Sequence, residues 1–261
     1  MIPLTAASAQ RELAALAKPS YAANLQRFFK TGPGEYGAGD IFRGIRVPAL
    51  RQLAPHYDSL PLTALLRLLR SKFHEDRLFA LLLLVRRFER GDEADRHRLL
   101  AVYLRHTRHI NNWDLVDLSA PNIVGAWVAA HGSRGLLEKL VRSPLPWERR
   151  IAMVATFASI RMNRHTLTLA LARKLLRDPE DLLHKATGWM LREVGKRDQA
   201  ALTAFLDRHA ASMPRTMLRY AIERFPEAER MRYLHCKRVR NSIRRRFAGA
   251  TGGLWTDGVH I

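Results

Sequence analysis

The chain has 261 residues, 47% of them hydrophobic, with 44 Lys and Arg against 24 Asp and Glu, a formal charge of +20 and a pI near 11.2. That length and apolar content supply a substantial core and exclude a disordered chain. The single cysteine, Cys236, excludes an internal disulfide and a multi-cysteine zinc site, and suits a reducing cytoplasm.

The charge excess is mostly arginine, 36 against 8 lysines. A guanidinium suits bidentate phosphate contact and stacking, so a polyanion is the first partner to consider, with a coding bias toward arginine as the plain alternative. No stretch approaches the ~20 apolar residues of a membrane span. His106 and His109 have no carboxylate or thiol at ligand spacing, so no metal is expected.

Strand signals are nearly absent, and apolar residues recur at helical spacing. "MIPLTAASAQRELAAL" at the start lacks the charged head and apolar run of an export signal and reads as helix. "TGPGEYGAGD" at 31–40 is the Gly-rich segment of the body; Gly32, Gly34 and Gly37 match the dinucleotide spacing, but no strand precedes them. A flexible loop or small hairpin is expected there.

Helical patterns follow in "LRQLAPHY", "LTALLRLLRSK", "RLFALLLLVRRFERG", "RLLAVYLRHTRH", "RRIAMVATFASI", "LTLALARKLL", "LLHKATGWMLREVGK" and "MLRYAIERF". Short breakers such as "HGSRG", "RSPLP" and "RDPED" separate them at the lengths of helix hairpins. A basic residue stands just ahead of several of these helices, at Arg77, Arg150, Lys185 and Arg215, with steps of 73, 35 and 30. An all-α solenoid of HEAT-like helix pairs, with repeats of roughly 35 to 40 residues, is the expected architecture, a non-repetitive bundle the alternative. The expected division is a repeat domain over 1–229 and, over 230–261, a basic final helix beginning "RMRYLHCKRVRNSIRRRF" followed by a tail.

Three constellations carry chemistry. On a helix over "HKATGWMLREVGK", Lys185, Trp189, Arg192 and Lys196 fall within about 60° of one another, opposite Leu183, Ala186, Thr187, Met190 and Val194. An indole on a cationic stripe suits a sugar or base flanked by phosphates, unless a neighbouring loop shields it. Arg150 shares a face with Val154 and Phe157; a partly buried guanidinium there needs a carboxylate or a phosphate, and both readings stay open.

In "NNWDLVDLSAP" (111–121), Asn111 or Asn112 caps a helix and Asp114 lies in its first turn, where a carboxylate favours the free amides. Asp117 stands one turn deeper on the side of Trp113, with no capping role. Pro121 clashes with the carbonyl four residues back, so a kink is expected at Asp117. That carboxylate is either the partner of an arginine such as Arg150 or a catalytic group.

At these residues the chain resembles the AlkD-like DNA alkylation repair glycosylases. The resemblance runs from about residue 20 to 225 and rests on the ordered blocks "FRGIRVPALRQL", "NNWDLVDLSAPNIVG", "WERRIAM" and "HKATGWMLREVGK". It implies a right-handed HEAT-like solenoid whose concave cationic groove holds duplex DNA, and hydrolysis of the N-glycosidic bond of N3- and N7-alkylated purines without a base-flipping pocket. Asp117 takes the place of the family's catalytic aspartate, Trp113 and Trp189 of its groove tryptophans, and Arg150 and Arg192 of its arginines, which the resemblance implies hold the phosphates of the lesion strand.

Lys185 and Lys196 are added here as strand contacts. Phe28 stands where better-known members carry a tyrosine, the 31–40 loop looks like an insertion, and the basic C-terminal segment lies outside the resemblance. The expected enzyme is a monofunctional glycosylase that needs no cofactor or metal and has no membrane attachment. It acts as a monomer on double-stranded DNA in the cytoplasm, at the nucleoid. The runner-up is a catalytically weak binder of branched or distorted DNA, and a protein scaffold ranks third.

Overall fold

A computed structural model describes residues 4–235. Within them the chain is helical, in the order α1 (Ala6–Ala15), α2 (Pro19–Phe28), α3 (Val47–Leu53), α4 (Leu62–Leu69), α5 (His74–Arg90), α6 (Glu93–Arg105), α7 (Trp113–Ser119) and α8 (Ala126–His131). It continues through α9 (Arg134–Leu140), α10 (Pro146–Ala155), α11 (Phe157–Arg161), α12 (Thr166–Lys174), α13 (Asp181–Gly195), α14 (Gln199–His209), α15 (Arg215–Ala221) and α16 (Glu227–His235). The helix ends follow local chemistry. Thr5 and Ser8 form a reciprocal capping box for α1, Asp92, Asn112 and Asp198 cap α6, α7 and α14, and Pro19 and Pro146 occupy first turns.

Helices α5, α7, α10, α13 and α15 pack in sequence as one row, and α4, α6, α9, α12 and α14 pack against its members. This is the repeat-like stacking of an α-solenoid, in which each unit buries its apolar face on its neighbours. One contiguous core runs from Ala6 in α1 to Tyr233 in α16. α13 approaches α15 so closely that a Cβ on Gly188 would lie 2.4 Å from the Met217 carbonyl oxygen, so the site next to Trp189 needs a glycine.

Three expectations change. The 31–40 segment forms no hairpin: consecutive turns close on the Gly37 N–H donating to the Lys30 carbonyl (3.1 Å), and its end is joined to the start of α5 by an isolated bridge, Ile41 to Phe73, and by Asp40. Pro121 does not end the helix at Asp117, which lies within α7 (Trp113–Ser119). The helix widens instead into a π turn, Pro121–Gly125, closed by Gly125 N–H to the Ala120 carbonyl at 2.8 Å, while the Asn122 amide donates to the Leu118 carbonyl at 2.8 Å.

Finally, α5 is buried on every side from His74 to Val85, four charged residues included. Glu75 there accepts the N–H groups of Arg43, Gly44 and Ile45 at 2.8, 2.8 and 3.1 Å. Gly44 has φ +79°, and a Cβ there would lie 2.2 Å from the Lys18 carbonyl oxygen, so only glycine permits this backbone to reach Glu75. The expected boundary at 229/230 falls inside α16. The expected basic helix is described as far as His235, and the rest of it, with Cys236 and the tail, lies outside the described residues.

Candidate active site

A cleft of about 650 Å³ opens along the helix row, with Phe28 at the end of α2, Lys30 just before the 31–40 loop, Tyr36 within it, Trp113 and Asp117 of α7, Arg150 of α10, Lys185, Trp189 and Arg192 of α13, and Tyr220 of α15 on its walls. The residues singled out on four separated stretches of sequence thus meet in one place, Lys196 excepted. Stacking of the helix row is what joins them, since each stretch contributes one face of one helix.

Asp117 and Arg150 form the floor. The guanidinium grips the carboxylate with two parallel bonds, Nε to Oδ1 at 2.9 Å and a terminal nitrogen to Oδ2 at 2.7 Å, and its other terminal nitrogen donates to the Leu182 carbonyl at 2.5 Å. The Arg150 side chain is 5% exposed and that of Asp117 is 20% exposed. The expected phosphate contact of Arg150 is thus not offered here, since its nitrogens are taken up by the aspartate and the backbone, and the aspartate keeps an edge open to the cleft. Burial pushes the Asp117 carboxyl above its ordinary range, against the opposing pull of Arg150.

Trp113 begins α7, its N–H held by the Asn112 side chain at 2.8 Å. Its indole stacks on Phe29 with ring centres 5.0 Å apart at 13°, and the ring of Phe28 meets it edge-on at 6.0 Å. Phe28 itself is 64% exposed. Trp189, half-buried, packs its far side on the core near Phe157, with ring centres 5.9 Å apart.

The cationic stripe of α13 is not bare. Lys185 pairs with Asp181 at 2.8 Å, Arg192 with Glu223, and Lys196 with Glu193 at 2.6 Å, while the Trp189 indole N–H donates to that same Glu193 at 3.1 Å. Sequence reading placed the cations and overlooked these acids. Asp181 and Glu193 stand at i−4 and i+4 of Lys185 and Trp189, a spacing that could have revealed them. Lys196 caps the end of α13 and lies off the cleft. Asn112, not Asn111, makes the cap of α7, and Asp114 faces His74 at 2.7 Å as well as its own helix start.

Two further features escaped sequence reading. Tyr36 brings a phenol to the cleft from the loop that looked like an insertion, eight residues after the tyrosine-to-phenylalanine departure at Phe28, and its hydroxyl donates to the Phe28 carbonyl at 3.4 Å. Asp117 also borders a second cleft of about 450 Å³ between α3, α5 and α7, where Arg51, Arg86 and Asn122 line the wall. Arg51 lies inside the block "FRGIRVPALRQL", which was its only signal. Among the described residues no group of three His, Cys, Asp or Glu side chains is placed to hold a metal ion, and no helix is long and apolar enough to cross a membrane.

The arrangement can present a carboxylate, fixed in orientation and partly desolvated, to positive charge developing between two indole faces. No curated protein sequence matches the chain. Among solved structures it is similar to one described as "Predicted DNA alkylation repair enzyme from Enterococcus faecalis", at 18% identity with a TM-score of 0.62, over 81% of this chain and 97% of that one. At that identity the likeness establishes the fold. The sequence profile described as DNA alkylation repair enzyme matches residues 9–225. By that match, which spans most of its length and every wall of the cleft, the chain belongs to the DNA alkylation repair enzyme family.

Proposed function

We propose that the protein is a DNA glycosylase that hydrolyses the N-glycosidic bond of cationic N3- and N7-alkylated purines in duplex DNA. The observation that carries this reading is Asp117: an oriented, partly buried carboxylate open to a cleft walled by Trp113 and Trp189.

Alkylation leaves the purine positively charged, so the base departs with the electrons of the C1′–N bond as a neutral molecule and needs no general acid. Positive charge then builds on the deoxyribose. Asp117 stabilises that charge and orients a water, whose oxygen bonds to C1′ while its proton passes to the carboxylate or to solvent. An abasic site remains. The indole faces of Trp113 and Trp189 pack on the sugar and add cation–π attraction. Arg150 holds the carboxylate in orientation, and Lys185 and Arg192, reached through exchangeable surface pairs, take phosphates of the lesion strand. All of this acts on the sugar, so the lesion base stays in the duplex and no closed base pocket is required.

Asp117→Asn tests the reading with little change of shape. Release of 7-methylguanine from methylated duplex DNA collapses while duplex binding persists; undiminished release removes Asp117 from the mechanism. One observation favours a second reading, a weakly catalytic binder of branched or distorted DNA: both oxygens of Asp117 are engaged by Arg150, which neutralises the charge that catalysis needs. No base release by the unaltered protein, with tight binding to branched duplexes, selects that reading.

A further inference from the structure

The wall that carries Trp113 is tied to a buried charge that the mechanism above does not use. His74, the first residue of α5, is 1% exposed, with Nδ1 3.0 Å from Asp40 Oδ2 and Nε2 2.7 Å from Asp114 Oδ2. An ionised carboxylate only accepts, so both ring nitrogens donate and the ring is an imidazolium. Burial alone would lower the His74 pKa, but the hydrogen bonds to Asp114 and Asp40 carry it up to about 9.

The two carboxylates belong to different parts of the cleft. Asp40 closes the loop that presents Tyr36, and Asp114 directly follows Trp113 in the chain. Asp40 also accepts from Arg77 at 2.6 Å and from the Asn112 amide at 3.1 Å, and Asn112 in turn holds the Trp113 N–H. One buried cluster of paired charges therefore fixes both the start of α7 and the end of the loop.

A second link is aromatic. The His74 ring stacks on Phe42 (4.4 Å, 22°), Phe42 on Phe29 (4.9 Å, 27°), and Phe29 on Trp113 (5.0 Å, 13°). Four flat rings run from the buried imidazolium to the indole that faces the cleft. Each ring limits the tilt of the next, because a close-packed plate has nowhere to turn.

We infer that His74 is a positioning residue: through its two carboxylate partners and the Phe42–Phe29 stack it sets the orientation of the Trp113 indole beside Asp117, without itself reaching the cleft. The kinetic readout rests on the glycosylase reading above; the orientation of Trp113 can be followed without any substrate.

His74→Gln keeps its donors on a single neutral nitrogen and so cannot span the two carboxylates that the ring's two nitrogens reach, and Phe42→Leu breaks the stack while leaving the ion cluster in place. Each is compared with Leu13→Ala, a core truncation in α1 away from the cleft. The measurements are thermal stability, near-ultraviolet circular dichroism, and kcat and KM for release of 7-methylguanine from methylated duplex DNA. His74→Gln and Phe42→Leu are expected to lower kcat by about tenfold to a hundredfold with KM nearly unchanged, and to alter the indole dichroism. That alteration disappears when the same substitutions are made in a Trp113→Phe background. Leu13→Ala lowers the Tm and leaves kcat and the indole signal intact.

The inference is overturned if His74→Gln and Phe42→Leu lose stability as Leu13→Ala does while kcat and the indole signal stay at their original values. If His74→Gln does not fold, Phe42→Leu carries the same comparison. If the unaltered protein releases no base, the glycosylase reading fails and the dichroism alone decides: an altered Trp113 signal supports the positioning role and an unchanged one removes it.

Discussion

The two indoles of the cleft are held by opposite means. Trp113 rests on contacts distant in sequence: a ring stack through Phe29 and Phe42, and a buried cluster that joins Asp40, His74, Arg77, Asn112 and Asp114. Trp189 packs on the core near Phe157 and is otherwise held from its own helix, through Glu193 one turn on, among cations paired with acids of α13 or with Glu223 just past α15. Buried ion clusters are costly to break, because any orphaned charge stays out of water, whereas exposed helix-face pairs each contribute a few tenths of a kcal/mol. One wall is thus set before DNA arrives. The other carries cations whose acid partners exchange at little cost, as the proposed contacts to phosphates require.

The sharpest way to break this comparison is at the floor between the walls. Asp117→Asn should reduce base release by on the order of 100- to 1,000-fold, the scale of losing a preorganised electrostatic group, with little change in duplex affinity. A loss of affinity equal to the loss of rate would instead make Asp117 a binding residue.

Next in size is the buried cluster. The folded pKa of His74, about 9, lies above the ordinary histidine value of 6.5, so its contribution is full below pH 6.5 and is lost as the pH rises toward 9. That shift corresponds to roughly 3 kcal/mol. Urea unfolding between pH 6 and 9.5 should show this decline in the unaltered protein and a flatter profile in His74→Gln. A flat profile in both would mean that the imidazolium contributes nothing to stability.

A smaller effect tests the floor itself. Asp117 must be ionised to act, and burial raises its pKa, so the rate should fall on the acid side at a pH above the ordinary aspartate value of 3.8. Arg150→Lys keeps the charge but loses the two-pronged grip; about a tenfold loss of rate and an upward move of that acid limb are expected. A limb unmoved in the pH–rate profile would separate Arg150 from Asp117.

The smallest effect belongs to the outer end of α13. Lys196→Ala should change stability by no more than about 0.5 kcal/mol, and, since Lys196 lies off the cleft, leave the rate of base release unchanged. A marked fall in that rate would extend the site beyond the cleft walls.

Sequence reading went far on α7 and α13 and stopped at α5. A helical face of Lys185, Trp189 and Arg192 can be counted from spacing, because helix geometry is local. The cap at Asn111 or Asn112, the freedom of Asp117 from capping and its pairing with Arg150 as one of two options were open to the same arithmetic. The charged start of α5, His74 to Arg77, carries no signal of burial in the sequence. It is buried because Asp40 and the amides of residues 43–45 fold over it, about 30 residues away in sequence and inside or next to a loop with no helical period. Pro121 shows the same limit on a smaller scale: the carbonyl clash was evident, but the π turn that accommodates it depends on how its neighbours pack.

The amino-acid order by itself determined the helical class, the helix starts, the basic character of the chain and the side of each helix that carries Trp113, Asp117, Arg150 and Trp189. All of these follow from periods and caps that span a few residues. Only the tertiary structure decided that these faces meet in one cleft, that Arg150 turns to Asp117 rather than to open solvent, that acids partner the stripe on α13, and that Tyr36 joins the wall. The reason is physical: burial and ion pairing depend on which distant segments exclude water from a group, and that exclusion exists only once the helix row has stacked.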